Sequence, residues 1–515
     1  MNPAHLGLPP KFERWRPHQL DAVIQVAASD GGYFGLNAPT GSGKSAIYMA
    51  TARLLQARTV FLTSTRGLQD QLVREFPFTT DMRGQGNYDC ELEGGKITVD
   101  RAICHFGVPC HLKGGGCTYF DAYRRAIAAP FLVTNYSYWL NVHQYAEGLG
   151  GFDFMVCDEA HNALDEVGGS LSVRITDWER DAFLDRSEPW DNSKKEWGRW
   201  ATSQIRGVGP TLIQEWGHLR ASPQNRSLLR RVHDLRTLLK KLEAVVNLSS
   251  GSEKWVFELN RGSLQWTPVW PGKYSAALFQ GVRRVLLVSA TLTPKALQMM
   301  GLAKFDYEEY PSTFPAHRRP VLHLRSGVRL KHDTDKLSLR AWVAKIDQFI
   351  EFRLGRKGLI HTVSYARRDY LLANSKYRAY FVTHESGDVG RRVAEFKRMP
   401  APAILVSPSI LTGFDFPGDE ARWQVITKVP FPDSRSPVYA ERHKDDKEYG
   451  GYLAMVALIQ AAGRGNRSED DWCETAIVDD NIDWFMRRFR KFAPRYFLDA
   501  YQGNVMITPP PLQPK

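Results

Sequence analysis

Cysteine is scarce, six in 515 residues. So few in so long a chain exclude a disulfide scaffold and favour a reducing compartment. Long apolar runs are also missing. No stretch approaches the roughly 18 residues of a membrane span, and Met1–Arg16 has no apolar core long enough for a secretory signal. There is no repeat of fixed period and no long low-complexity tract, so solenoid and fibrous architectures drop out. Acidic residues are in deficit, with 56 Asp+Glu against 68 Lys+Arg and a net charge of +12. That excess favours a polyanionic partner but is too diluted over this length to identify one. What remains is a large soluble protein with several cores, at about 150 residues per domain.

Short apolar or β-branched segments alternate with helical patterns. They are Tyr33–Leu36, Thr59–Thr63, Phe131–Thr134, Phe154–Cys157, Val285–Ser289, Gly358–Val363, Ala403–Ser407, Trp423–Val429 and Thr475–Asp479. Strands followed by helices predict parallel α/β layers. Two stretches break the rhythm. Residues 83–120 are Gly-rich and hold four cysteines. Residues 170–275 are helical and basic, then hairpin-like. Within the second, Leu228, Val232, Leu235, Leu239, Leu242 and Val246 step by four and three, one helix face. Arg230, Arg231, Arg236, Lys240 and Lys241 lie between them, either as a solvated face or as one turned to nucleic acid. Trp255–Leu259 and Leu264–Val269 flank Asn260-Arg261-Gly262-Ser263, a hairpin pattern. Tyr310–Pro320 reads as a linker, and residues 509–515 as a flexible tail.

Ala38-Pro39-Thr40-Gly41-Ser42-Gly43-Lys44-Ser45 follows a strand and precedes the helical pattern Ala46–Gln56, the context of a Walker A phosphate loop. Glycines let backbone N–H groups wrap phosphate, and the helix N-terminus favours an anion. Lys44 is placed to reach the β and γ phosphates, and the Ser45 hydroxyl to bind Mg²⁺. Ala38 stands where the general pattern begins with Gly. Farther on, the apolar segment Phe154–Cys157 runs into Asp158-Glu159. Carboxylates at the end of a buried strand are costly unless they serve a cation or a proton. Asp158 would hold Mg²⁺, and Glu159 would orient and deprotonate the attacking water.

With Lys44 and Ser45, the run Asp158-Glu159-Ala160-His161-Asn162 resembles superfamily 2 helicases of the iron–sulfur XPD/DinG group, closest to DinG. The resemblance covers most of the chain, in order. Arg16-Pro17-His18-Gln19 resembles the adenine-sensing segment, with Gln19 bonding the base. Thr63-Ser64-Thr65-Arg66 with Leu68-Gln69-Asp70-Gln71-Leu72 resembles the strand-contacting motif Ia, and Ser289-Ala290-Thr291-Leu292 the coupling motif III. Thr412-Gly413-Phe414-Asp415-Phe416-Pro417-Gly418-Asp419, followed by Lys428-Val429-Pro430-Phe431, resembles motif V. Gln460-Ala461-Ala462-Gly463-Arg464-Gly465-Asn466-Arg467 resembles motif VI. A guanidinium is always charged and can bind two oxygens, which suits stabilisation of a γ-phosphate in transfer. Arg464 and Arg467, three apart, are expected on one helical face. Two departures stand out: Thr412 where the family usually has an acid, and Gly465-Asn466 where it tends to have apolar residues.

Cys90, Cys104, Cys110 and Cys117 fall within 28 residues, and thiolates suit zinc or an iron–sulfur cluster. Spacing alone leaves both open; the resemblance implies a [4Fe–4S] cluster. The Gly-rich segment cannot build its own core, and a metal centre would stand in for one. Tyr119, Phe120, Tyr123, Tyr136, Tyr138 and Trp139 near it are candidate stacking residues as a group, though each alone fits a core better than a platform.

The resemblance thus implies an ATP-hydrolysing DNA helicase with two RecA-like parallel-sheet motor domains. The first spans 1–84, 121–169 and 276–305, interrupted by a cluster insertion at 85–120 and an arch at 170–275; the second spans 306–508. ATP, Mg²⁺ and the cluster are the implied cofactors. Thr40, Gly41, Ser42, Gly43, Gly413 and Asp415 join Gln19, Lys44 and Ser45 at the nucleotide, and Gln460 joins the catalytic set. Single-stranded DNA and forks are the implied partners, followed 5′→3′ by a monomer, in the cytoplasm on a nucleoid or in a virus-infected cell. A translocase that strips bound proteins, or an ATP-gated clamp, is the alternative.

Overall fold

The computed structural model describes residues 1–30, 32–145, 148–189, 193–222, 225–260, 262–411, 413–466 and 471–508. Arg261, Thr412, Arg467 and the 509–515 tail lie outside the described residues.

Two seven-stranded sheets dominate. The first runs in the order Asp306–Glu309, Gly32–Asn37, Val282–Ser289, Phe152–Asp158, Thr59–Thr63, Phe131–Asn135, Thr80–Asp81, all parallel. Its strands are apolar on both faces because helices cover both. Leu36, Phe61, Phe154 and Val288 face Ile47, Tyr48 and Met49 on one side. Leu62, Met155 and Leu287 face Trp139 and Leu164 on the other. The second sheet runs Phe381–Val382, Ile404–Ser407, Gly358–His361, Trp423–Ile426, Glu474–Ile477, Val321–His323, Tyr501–Asn504, again parallel. Tyr452, Met455 and Ile459 of this second lobe belong to the same continuous apolar cluster as Met155 and Leu287 of the first. The lobes therefore share a seam, and the carboxyl ends of the first lobe's central strands open toward it, where open parallel sheets bind ligands.

All nine segments read as strands from the sequence contain a strand, though Trp423–Ile426 and Glu474–Ile477 end short of Val429 and Asp479. Gly358–His361 stops before Val363, whose φ is +62°, a backbone region a β-branched side chain rarely adopts. The strands not foreseen are short, with two to four residues each, and most lie at sheet edges.

The basic stretch forms two antiparallel helices, Lys194–Ala221 and Arg226–Ser250. The expected apolar face of the second is rotated. Val232, Leu235 and Leu242 are buried as anticipated, but Leu229, Leu238 and Val245 complete the buried set. Leu228, Leu239 and Val246 sit at its margin. Burial is decided by the neighbouring helix, with Trp197, Trp200 and Val208 against it, and step counting does not see that helix. Three antiparallel strands, Val173–Thr176, Ser263–Pro268 and Trp255–Asn260, form the base of this insertion.

The cysteine-bearing stretch consists of single 3₁₀ turns, Gln85–Asn87, Glu91–Glu93, Val99–Arg101, Ile103–Phe106 and His111–Gly114, before the helix Thr118–Ala128. It leans on the helical insertion. Phe106 lies 4.9 Å from the His233 ring, and Glu93 pairs with Arg226 at 2.9 Å.

Candidate functional site

The Walker-type loop lies at the carboxyl end of Gly32–Asn37. Gly41 and Gly43 both adopt φ of +76°, where a side chain would be strained. Gly43 caps the helix Lys44–Leu55, which starts at the lysine. Gln19 is buried against this loop, its amide donating to the Ser42 carbonyl at 2.8 Å while its own carbonyl accepts from the Arg16 N–H at 2.9 Å. Both ends of the carboxamide are thus engaged by protein.

Two strands away in the sheet, Phe152–Asp158 delivers the acidic pair. Register sets Asn37 beside Ser289, and Asp158 beside Val288, so the loop, the acids and motif III converge. Asp158 accepts from the Tyr48 hydroxyl at 3.3 Å and from the Glu159 N–H at 3.0 Å. Burial, then the neighbouring Glu159 charge, push its carboxyl up to about 6, with Lys44 acting in the opposite direction. Glu159 holds φ of +49°, uncommon for a residue with a side chain and a form of strain found at functional sites. Burial also opposes its ionisation. The His161 hydrogen bond and the Lys44 and Arg464 charges outweigh that and hold its carboxyl well below the usual range.

A polar chain then crosses the seam. Glu159 accepts from Ser289 Oγ at 3.2 Å, and Ser289 Oγ also meets His161 Nδ1 at 2.7 Å and Thr291 Oγ1 at 3.3 Å. Gln460 of the second lobe donates to Thr291 Oγ1 at 3.4 Å. Arg464 donates to the Gln460 side-chain carbonyl at 2.7 Å and to the Phe414 carbonyl at 2.9 Å, with Asp415 3.5 Å away. One cavity of about 1020 Å³ is lined by Lys44, Ser45, Asp158 and Glu159 from the first lobe and by Gly413, Asp415, Gln460 and Arg464 from the second. Gln19, Thr40, Gly41 and Gly43 also line it, while Ser42 lies buried in the loop.

The expectation that Arg464 and Arg467 share a helix face is corrected. The helix Tyr449–Ala462 ends before Arg464, because Gly463 and Gly465 carry the chain out of it. A Cβ at Gly465 would meet Cys473 Sγ at 2.4 Å, so that turn has room only for glycine. Arg464 reaches the cavity from the segment beyond the helix, and Arg467 lies outside the described residues.

The aromatics near the cysteines are mostly core. Tyr119, Tyr136, Tyr138 and Trp139 are buried, which leaves only Phe120 and Tyr123 partly accessible. Sequence reading missed Tyr48 and gave His161 no role; Tyr48 had no signal beyond its position one turn after Lys44.

None of the four clustered cysteines is in a disulfide, and Cys90 and Cys117 are buried. Burial first, then Cys110, Cys90 and Cys117, push the Cys104 thiol up, so all four share one neighbourhood. Among the described residues, no group of three or more His, Cys, Asp or Glu is drawn together as a single-ion site. No helix among the described residues is long and apolar enough to cross a membrane.

The chain matches the family described as "Type III restriction enzyme, res subunit" over residues 13–183 and the "Helicase C-terminal domain" over 357–496. It is 22% identical to the "Probable ATP-dependent helicase MJ0942" of Methanocaldococcus jannaschii over 91% of each chain. It is 22% identical to the "ATP-dependent DNA helicase YoaA" of Escherichia coli K12 over 92% of each chain. A solved structure titled "XPD_Helicase" superimposes with a TM-score of 0.66 over 95% of this chain and 99% of that one, at 14% identity, a likeness of fold. The ordered motifs, the paired parallel-sheet lobes and this end-to-end similarity make the chain a distant relative of the helicases YoaA and MJ0942, with the fold of the solved XPD structures.

Proposed function

We propose that this protein is an ATP-dependent DNA helicase that moves 5′→3′ on single-stranded DNA and couples ATP hydrolysis to separation of a duplex. The observation that carries this reading is the shared cavity, with Lys44 and Glu159 on one wall and Gln460 and Arg464 on the other. A nucleotide held there touches both lobes, so its hydrolysis changes the affinity of one lobe for the other.

In this reading the loop N–H groups and Lys44 hold the phosphates. Ser45 and Asp158 would hold Mg²⁺; hydroxyl and carboxylate oxygens are the hard donors that ion takes, and when bound it neutralises phosphate charge. Glu159, kept ionised by its neighbours, accepts the proton of the attacking water. Arg464 stabilises charge developing on the γ-phosphate, and Gln460 holds that guanidinium in place. Arg467 is assigned the companion role by motif alone. Ser289 and Thr291 link Glu159 to Gln460, a route by which loss of the γ-phosphate reaches the second lobe.

The motor domains are assigned to 1–84 with 121–169 and 276–309, and to 310–508, with insertions at 85–120 and 170–275; the expected boundary at 306 moves because Asp306–Glu309 pairs with Gly32–Asn37 in the first sheet. Cys90, Cys104, Cys110 and Cys117 would hold a [4Fe–4S] cluster. Thiolates are the donors such a group takes, and the segment that carries them is built of single turns, which the group when bound would brace. The decisive experiment is phosphate release with single-stranded DNA. Lys44→Ala should abolish it while leaving much of the DNA affinity. Unchanged turnover in that variant would remove the assignment.

A further inference from the structure

An open groove of about 490 Å³ runs between the two long helices of the insertion. Between residues 193 and 250 the chain holds eleven Lys/Arg and four Asp/Glu, an excess of seven in a protein whose total is +12. On the first helix Lys195, Arg199, Thr202, Ser203 and Arg206 line the groove, and all five are exposed. Their steps of four, three, one and three keep them on one face, along about 16 Å of helix. Ser249 stands on the opposite wall. The helices approach closely at Gly198, where a Cβ would meet Ser249 Cβ at 2.8 Å. Arg199 pairs with Glu196 at 2.8 Å, whereas Lys195 and Arg206 have no carboxylate partner among the described residues.

Cations interleaved with hydroxyls, without an aromatic platform, match phosphate oxygens rather than bases. The groove also lacks the large apolar anchors a protein partner would need. It shares no lining residue with the nucleotide cavity, and it lies on the insertion whose far end rests against the cysteine-bearing turns.

We propose that this groove binds the phosphodiester backbone of the second strand of a fork, the strand the motor lobes do not hold. The proposal rests on the helicase reading above. The test compares full-length protein with the Lys195→Gln/Arg199→Gln/Arg206→Gln variant, measuring nucleotide-free affinity against salt for a fork, a single strand and a blunt duplex. For the fork, the slope of log affinity against log salt should become shallower by about 2, from three lost contacts to single-stranded phosphates. Single-strand and blunt-duplex binding should hold their slopes, and strand-stimulated phosphate release should be unchanged. An unaltered fork slope would overturn the proposal and point the groove to a protein. Equal loss on the single strand, or on the blunt duplex, would overturn it in favour of the tracked strand or the duplex ahead. Affinity is read without ATP, so an inactive wild-type protein would sink the motor reading and leave this comparison readable.

Discussion

Gly463 of the second lobe faces Thr40 of the first so closely that a Cβ on Gly463 would lie 2.7 Å from the Thr40 hydroxyl. The Walker loop and the turn bearing Arg464 are thus in contact across the seam, and glycine is what permits it. Gly463→Ala should hold the lobes apart. Misplacement of about 1 Å can cost about 10²-fold in rate. Phosphate release should fall by that order with thermal stability nearly unchanged, and Thr40→Ala in the same background should recover part of the loss. Full activity in Gly463→Ala alone would show that the lobes close differently from the arrangement seen here.

Arg442, on the second-lobe helix Pro437–Asp445, ties three elements together. It donates to the Val269 carbonyl at 2.6 Å, to Asp165 at 3.1 Å and to the Tyr449 hydroxyl at 2.7 Å, beneath the Trp270 ring. Asp165 is on the helix that follows the acidic pair, and Val269 lies where the helical insertion rejoins the first lobe. Arg442→Lys keeps the charge but not the planar fork. Duplex unwinding should drop about tenfold while strand-stimulated phosphate release stays within about twofold, the size of a typical coupling term. Parallel loss of both would assign Arg442 to folding alone.

Asp158 carries a pH signature. Its folded-state carboxyl sits near 6, above the ordinary value of 3.8. The favourable contribution is therefore complete below the unfolded value and is lost as pH rises through about 6. Asp158→Asn should stabilise the metal- and nucleotide-free protein at pH 7 by about 1–3 kcal/mol, and by nothing below about pH 4. Denaturant melts at the two pH values check this. A stabilisation equal at both would mean packing, not charge, is responsible.

Cys104 stands among the other three thiols. Cys104→Ser should remove iron, sulfide and brown colour together, and should abolish unwinding before it abolishes strand-stimulated phosphate release. A colourless wild-type protein that unwinds duplex would exclude the cluster.

The central strands, the phosphate loop and the acidic pair were legible because each rests on local chemistry. Apolar runs mark strands buried on both faces, and Gly41, Gly43 and Lys44 state their task within one turn of chain. The short edge strands were not, since a two-residue strand such as Thr80–Asp81 exists only through its neighbour. The same division runs through the site. Local sequence context marked Lys44, Asp158 and Glu159 as candidates, and the family resemblance marked Arg464. The tertiary fold alone decided that Ser289 and Thr291 bridge Glu159 to Gln460, that Gln19 spends its carboxamide on the loop, and that Leu229 rather than Leu228 is buried. Periodicity fixes which residues can share a face, but which way that face turns depends on a partner surface distant in sequence. Hydrogen bonds across a seam form only after both lobes have been placed.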